Sequence, residues 1–398
     1  MCAEWAITVG MTITVPAKRV PPSVTGGIRD RIKALSAAGQ AIYRLDAGEV
    51  DFTSPDVRTP SPTEIADLLN PYGPPLGLAG LREAIVQTRG AFPAGLTVDD
   101  ILVTNGAKQA VYLALAVLAP PGADVLVPAP HWVSYLPMLE MTGGRAVVVP
   151  ADRSQSFKVT PEALERAVTP STTAVVINTP GNPSGSVYTR DELEAIATWA
   201  NERGLWILSD EIYRHIYFGE GGSAPSIAET TAERFVIVDG LSKAYALAGW
   251  RVGWLIAEKS VLGPAKSVMS HTTSHASNYP QLVAERALRD STYLPLVRHE
   301  LRERRDALVS AIHNAGLDCV EPQGSIYTFP SIESLYGRSL GGIDIVDDLS
   351  ASEALLAGGG IASVPGSAFG APGHLRLGYG RNLAEITAAG ERLIETLR

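Results

Sequence analysis

Between residues 101 and 260, short apolar runs rich in β-branched residues (VLVP, AVVIN, LWILSD, FVIVDG, VGWLIA) alternate with helical segments such as Arg190 to Glu202. No other feature constrains the chain as much, because this rhythm produces an α/β fold: a mostly parallel sheet covered by helices. In such sheets ligands bind outside the carboxyl ends of the strands. The polar stretches NTPGNPSG, SDEIY and DGLSK follow those strands directly, so the chemistry is expected there.

The 398 residues, 45% hydrophobic and 19% charged, suffice for a large core and two domains. Ile28, Ile32 and Leu35 predict a first helix within Val20 to Gln40, with Gly39 near its end. From Phe52 to Pro75 the chain is rich in proline, which predicts a surface excursion with one weak helix over Glu64 to Asn70. Helix resumes from Leu81 to Thr88. A long helix from Tyr293 toward Asn314, shorter strands and a last helix over Leu383 to Leu397 predict a second, smaller domain. The expected division is an N-terminal segment 1–51 joining the small domain, a large domain over 52–290 and a small C-terminal domain over 291–398.

A formal charge of -9 provides no basic field for nucleic acid or an anionic membrane. Two cysteines, Cys2 and Cys319, are too few for a disulfide framework or a cysteine-rich metal site, which points to a reducing compartment. The first residues lack the basic start and apolar core of an export signal, and no run reaches membrane-spanning length. A cytoplasmic protein without membrane or nucleic-acid partners is expected.

Lys243 follows a buried-looking strand and precedes small residues, a poor place to solvate an ammonium. Desolvation and nearby positive charge make a lysine amine nucleophilic, as Schiff-base chemistry with an aldehyde cofactor requires. Taken alone, it reads more readily as a surface lysine. Asp210 ends the apolar strand LWILSD, where an unpaired carboxylate is costly to bury. A protonated pyridine nitrogen is one partner for it, keeping the ring an electron sink; capping a helix over EIYRHIYF is the alternative. Tyr213 is placed to bond a phenolic oxygen on such a ring, or simply to pack. In NTPGNPSG, Asn182-Pro183 forms a turn presenting an amide to the same edge. In TNGAKQAVYLAL a strand end, Gly106 and a helix start offer amides to a phosphate, and Arg251 offers a charge-assisted bond or is one more surface arginine.

Together, YGPPLGLAGLREAI, TNGAKQA, HWVSY, NTPGNPSG, SDEIY, GLSKAYALAGWRVGW and HLRLGYG resemble the class I/II pyridoxal-phosphate-dependent aminotransferases of fold type I, in particular the prokaryotic aspartate aminotransferase subgroup. The resemblance runs from about Pro22 to the end, in the family's order. It implies a large domain with a mostly parallel seven-stranded sheet between helices, a smaller α/β domain, and a homodimer with shared active sites. It makes Lys243 the Schiff-base lysine and proton shuttle, Asp210 the partner of the pyridine nitrogen, and Tyr213 with Asn182 the ligands of the ring oxygen. Arg251, Ser242, Lys108 and the amides of Gly106 and Ala107 fall at the phosphate end, with Tyr72 reaching it from the other subunit. Trp132 would stack on the ring, Arg376 grip the substrate α-carboxylate in a bidentate fork, and Gly48 allow close approach. The implied reaction is ping-pong transfer of an amino group from an amino acid to a 2-oxo acid, with pyridoxamine phosphate as intermediate.

The chain departs from the subgroup in places. Gly240 stands where several relatives carry a phosphate-binding serine, and Pro21 where a lysine helps to read acidic side chains, although Lys108 and Thr25 are retained. His131, His271 and His275 receive no role beyond ordinary rim or surface histidines. The same fold and cofactor support a lyase, a decarboxylase or an oxidase as the alternative. A non-catalytic binding module is disfavoured by the intact Lys243, Asp210 and Arg376, and a nicotinamide enzyme by the lack of a G-x-G-x-x-G after the first strand.

Overall fold

The computed structural model describes residues 24–52, 61, 63, 65, 66, 71–89, 95–290 and 292–398. Within these, a seven-stranded sheet forms from β2 (Ile101–Thr104), β3 (Asp124–Ala129), β4 (Arg145–Pro150), β5 (Thr172–Asn178), β6 (Trp206–Asp210), β7 (Phe235–Gly240) and β8 (Gly253–Ala257). A short β1 (Tyr43–Arg44) precedes them. The spatial order is β2-β8-β7-β6-β5-β3-β4. The inner strands β5, β6 and β7 are almost wholly buried, as strands covered on both faces must be. Pairing is parallel except at β8, which runs antiparallel to both β2 and β7. The sequence reading of a mostly parallel sheet therefore holds, with one reversed strand that apolar periodicity does not reveal.

The helices flanking this sheet have local reasons to start and stop. Helix Arg190–Arg203 opens on a capping box of Thr189 and Glu192 and ends at Gly204 in the left-handed conformation. Helix Ala107–Leu118 packs on β2, β7 and β8. Helix Ala79–Arg89 lies against helix Asn278–Arg289.

Beyond the sheet, helix Tyr293–Asn314 packs along helix Leu383–Leu397, at the bounds expected from the sequence. Strands β9 (Tyr327–Thr328), β10 (Ser339–Leu340), β11 (Ile343–Asp344), β12 (Ile361–Ala362), β13 (Val364–Pro365) and β14 (Leu375–Gly378) complete this part, with β13-β14-β9 forming an antiparallel sheet. The first helix spans Val24–Ala37, later than its sequence signal begins; residues up to 23, Pro21 included, and the Thr25 side chain lie outside the described ones. Ile32 of this helix packs on Leu356 and Ala362, Arg31 pairs with Glu353 at 2.8 Å, and β1 pairs in parallel with β12. The weak helix expected over Glu64 to Asn70 falls largely outside the described residues. Among the described residues no helix is long and apolar enough to cross a membrane.

Candidate active site

The reversal of β8 assembles one end of the site. Gly253, at the start of β8, lies opposite Gly240 at the end of β7 and Thr104 at the end of β2. Lys243 and Gly106 just after their strands, and Arg251 just before its own, therefore share one edge of the sheet. Arg251 takes a left-handed φ of 57° and donates to the carbonyl oxygens of Ala248 at 3.0 Å and Asn105 at 3.4 Å. Its guanidinium crosses Gly106: a Cβ there would stand 2.5 Å from Nη2, and one on Gly253 would stand 2.2 Å from the amide nitrogen of Ala107.

One of the expected phosphate donors needs correction. The amide of Gly106 already donates to the carbonyl of Thr104 at 2.8 Å, so it is not available to an anion. The amides of Ala107 and Lys108 occupy the first turn of the helix, where no intrahelical partner exists. Partial burial and the charges of Arg251 and Lys243 hold the Lys108 ammonium below its usual range. Ser242 is buried next to Lys243. A serine at position 240 has no room, since a Cβ would stand 2.9 Å from the carbonyl oxygen of Val252.

From this edge a continuous chain of contacts crosses the site. The Lys108 ammonium lies 5.0 Å from the centre of the Trp132 ring, which meets Tyr135 edge-on at 5.3 Å. The hydroxyl of Tyr135 donates to Asp210 at 2.6 Å, and the backbone amide of Ile212 reaches the other carboxylate oxygen at 3.3 Å. Residues 212–215 form turns rather than a helix, so Asp210 has no helix to cap. Burial pushes the Asp210 carboxyl up to about 6 despite these bonds. Asn178 binds the carbonyl of Asp210 through its amide and the backbone amide of Asn182 through its oxygen, fixing the NTPGNPSG turn to the end of β6.

At the far end, Arg376 is buried and donates to Asn182 Oδ1 at 3.3 Å and to the carbonyl of Asp46 at 3.0 Å. Its Nε has no partner among the described residues. Tyr327 lies 4.2 Å beneath the guanidinium, and its hydroxyl is 3.4 Å from that of Tyr213. Lys243 Nζ donates to the carbonyl of Gly48 at 2.5 Å and stands 5.6 Å from the Tyr213 ring.

Lys243, Asp210, Tyr213, Asn182, Trp132, Lys108, Arg251, Gly48 and Arg376 are thus brought together, whereas Tyr72 stands apart. It is 88% exposed and packs edge-on against His275, whose Nε2 accepts the amide of Gly73 at 3.0 Å. His131 is buried and His271 exposed. Sequence reasoning missed Tyr135, Tyr327, Asn178 and a buried ion-pair cluster. In that cluster Arg89 binds Glu211 at 2.6 Å and Asp239 at 2.7 Å, joining the residue after Asp210 to β7 just ahead of Lys243. Tyr135 and Asn178 lie within or beside the motifs HWVSY and NTPGNPSG; Tyr327 has no local signal.

Relatives of known family cover most of the chain. Residues 39–393 match the family model described as aminotransferase class I and II. The chain is 38% identical over 370 residues to an aspartate aminotransferase of Streptomyces avermitilis, covering 90% of each chain. It is 36% identical over 388 residues to one of Geobacillus stearothermophilus, covering 95% of this chain and 97% of that one. Among solved structures, the aspartate aminotransferase of Thermus thermophilus with maleate superposes with a TM-score of 0.88 at 32% identity, covering 96% of this chain and 98% of the other.

Proposed function

The chain belongs to the class I and II aminotransferases and transfers amino groups; from that premise we propose that it does so through Lys243, with aspartate or glutamate as amino donor. The residues fit the pyridoxal phosphate that the family implies. A buried carboxylate at Asp210 suits a cationic ring nitrogen. The cradle of Gly106, Gly253, Arg251 and the Ala107 and Lys108 amides suits a phosphate dianion. The orphaned Nε of buried Arg376 suits a carboxylate. The observation that carries the reading is the convergence of these three groups around Lys243.

When bound, the cofactor supplies a carbonyl that condenses with amines and a ring that takes up the electron pair released at the substrate carbon. This chain's residues do the rest. Arg376 holds the α-carboxylate and Asn182 keeps that guanidinium in place, which orients the Cα–H bond. Trp132 would lie against the ring, Tyr213 and Asn182 would bond its oxygen, and Asp210 would keep its nitrogen charged. Lys243 Nζ, which rests against the carbonyl of Gly48, would be the general base that takes the Cα proton and the general acid that returns it. Gly48 leaves the space through which the substrate approaches.

Donor choice rests on two supports. The relatives are named aspartate aminotransferases and one was solved with maleate, a four-carbon dicarboxylate. The Lys108 ammonium at the rim of Trp132 offers charge to a second carboxylate. The reading extends to a homodimer in which Tyr72 of one copy serves the other's site. It also divides the chain into a segment 1–51 joined to a small domain over 291–398, and a large domain over 52–290.

The test is visible absorbance of the purified protein with pyridoxal phosphate, followed by a panel of single amino acids, with Lys243→Ala alongside. Wild type is expected to show a cofactor band that aspartate or glutamate bleaches as a 2-oxo acid accumulates. The variant is expected to lose turnover by about 100-fold or more, the scale of a lost proton-transfer group. Release of ammonia or uptake of oxygen would replace transamination with a lyase or oxidase reaction.

A further inference from the structure

Tyr327 joins two groups of the candidate site, the Arg376 guanidinium and the Tyr213 hydroxyl. It sits on β9, paired with β14, the strand that carries Arg376. It is 2% exposed, with its ring 4.2 Å from the Arg376 guanidinium. Its hydroxyl accepts from that of Tyr213 at 3.4 Å, and a Cβ built on Gly48 would fall 2.8 Å from the same oxygen. A buried structural tyrosine in this chain behaves differently: Tyr379 donates to the backbone carbonyls of Gly324 and Ser325, and Tyr188 accepts the amide of Val159. The hydroxyl of Tyr327 is aimed instead into the space bounded by Tyr213, Gly48 and Lys243.

Resting on the cofactor reading above, we propose that Tyr327 is a positioning residue that acts through two others. Its hydroxyl, which accepts from that of Tyr213 in the structure, becomes the donor that orients it once the Tyr213 proton turns to the cofactor, and its ring supports the guanidinium of Arg376. With the Tyr213 proton turned toward the ring oxygen of the cofactor, Tyr327 is the donor behind it, and a donor so supported is the stronger one. A stronger donor favours the anionic form of that oxygen, so the neighbouring linkage nitrogen loses its proton at lower pH. The charges of Arg376 and Lys243 act in the same sense on Tyr327, holding its phenol below the usual range although burial pushes it up.

The experiment titrates the visible band of the cofactor-loaded protein with pH in wild type, Tyr327→Phe and Tyr327→Leu, and measures succinate affinity for each by its perturbation of that band. Circular dichroism and melting of each variant report the fold. Removing the hydroxyl alone is expected to raise the titration midpoint by roughly half a unit, the size of one modest hydrogen bond, and to leave succinate affinity near wild type. Removing the ring as well is expected to weaken succinate by about 10-fold, as loss of a desolvated cation–π contact would. A purely structural role would lower the melting temperature of Tyr327→Phe without moving the midpoint, and an unmoved midpoint overturns the assignment. So does wild-type succinate affinity in Tyr327→Leu. Failure of wild type to form any band overturns the cofactor reading first, and this assignment with it.

Discussion

Asp210 concentrates the electrostatic cost of the candidate site in one side chain. Burial raises it to about 6 in the folded chain, against about 3.9 when unfolded. Because the folded value is the higher one, its contribution to stability is complete below pH of about 4 and is lost as pH rises through about 6. At neutral pH the cofactor-free protein carries a buried carboxylate supported by one tyrosine hydroxyl and one amide. In that state Asp210→Asn is expected to melt higher than wild type at pH 8, by the equivalent of roughly 2–3 kcal/mol, with the difference reduced to about 1 kcal/mol at pH 4.5. The same substitution is expected to cut turnover of the loaded enzyme by about 100-fold, the scale of a lost preorganised charge. Melting curves at the two pH values, with initial rates, check both halves; a lower melting point at pH 8 would sink the reading of Asp210 as charge held for a cation. Asp210 was legible in sequence because an acidic residue ending an apolar strand is itself an anomaly. Tyr135 and Tyr327 were not, because an aromatic residue in an apolar stretch reads as core until its hydroxyl's destination is known.

Strands and helices set which of these residues meet. The alternating pattern gave the parallel sheet and the polar strand ends, since burial on both faces writes itself into composition. It did not give the direction of β8, because an apolar run reads the same either way and only its pairing with β2 and β7 decides. That reversal carries Arg251 to the start of helix Ala107–Leu118, and it depends on Gly253 having no side chain. Gly253→Ala is expected to push the first turn of that helix away, because the new methyl would stand 2.2 Å from the Ala107 amide nitrogen. The expected cost is about 1–3 kcal/mol of stability, as for overpacking a tight site. Affinity for pyridoxal phosphate should fall by about 10-fold or more, since the displaced amides are the proposed phosphate donors. Equilibrium dialysis of the cofactor and a melting curve measure the two effects. Loss of stability with unchanged cofactor affinity would move the phosphate elsewhere.

For the whole molecule, the question is whether one chain holds a complete site. Lys243, Asp210 and Arg376 meet within the single chain, but Tyr72 is left on the surface, held by an edge contact to His275 and by the bond from the Gly73 amide to that histidine. A large aromatic side chain fixed in place at 88% exposure has no use to its own core. If a second copy takes it up, each site of a dimer draws Lys243 from one chain and Tyr72 from the other. Lys243→Ala and Tyr72→Ala then fall in the same site when the two variants pair: one site carries both defects and its twin carries neither. Random re-pairing of equal amounts makes half of the dimers mixed, each with one sound site of two, so about a quarter of wild-type activity should return. The measurement is to mix the purified variants, exchange subunits at low denaturant, and assay against each variant treated alone. Recovery to that level requires Tyr72 to act across the pair. A mixture no more active than the average of the two variants would mean that each chain completes its own site, with Tyr72 serving another purpose.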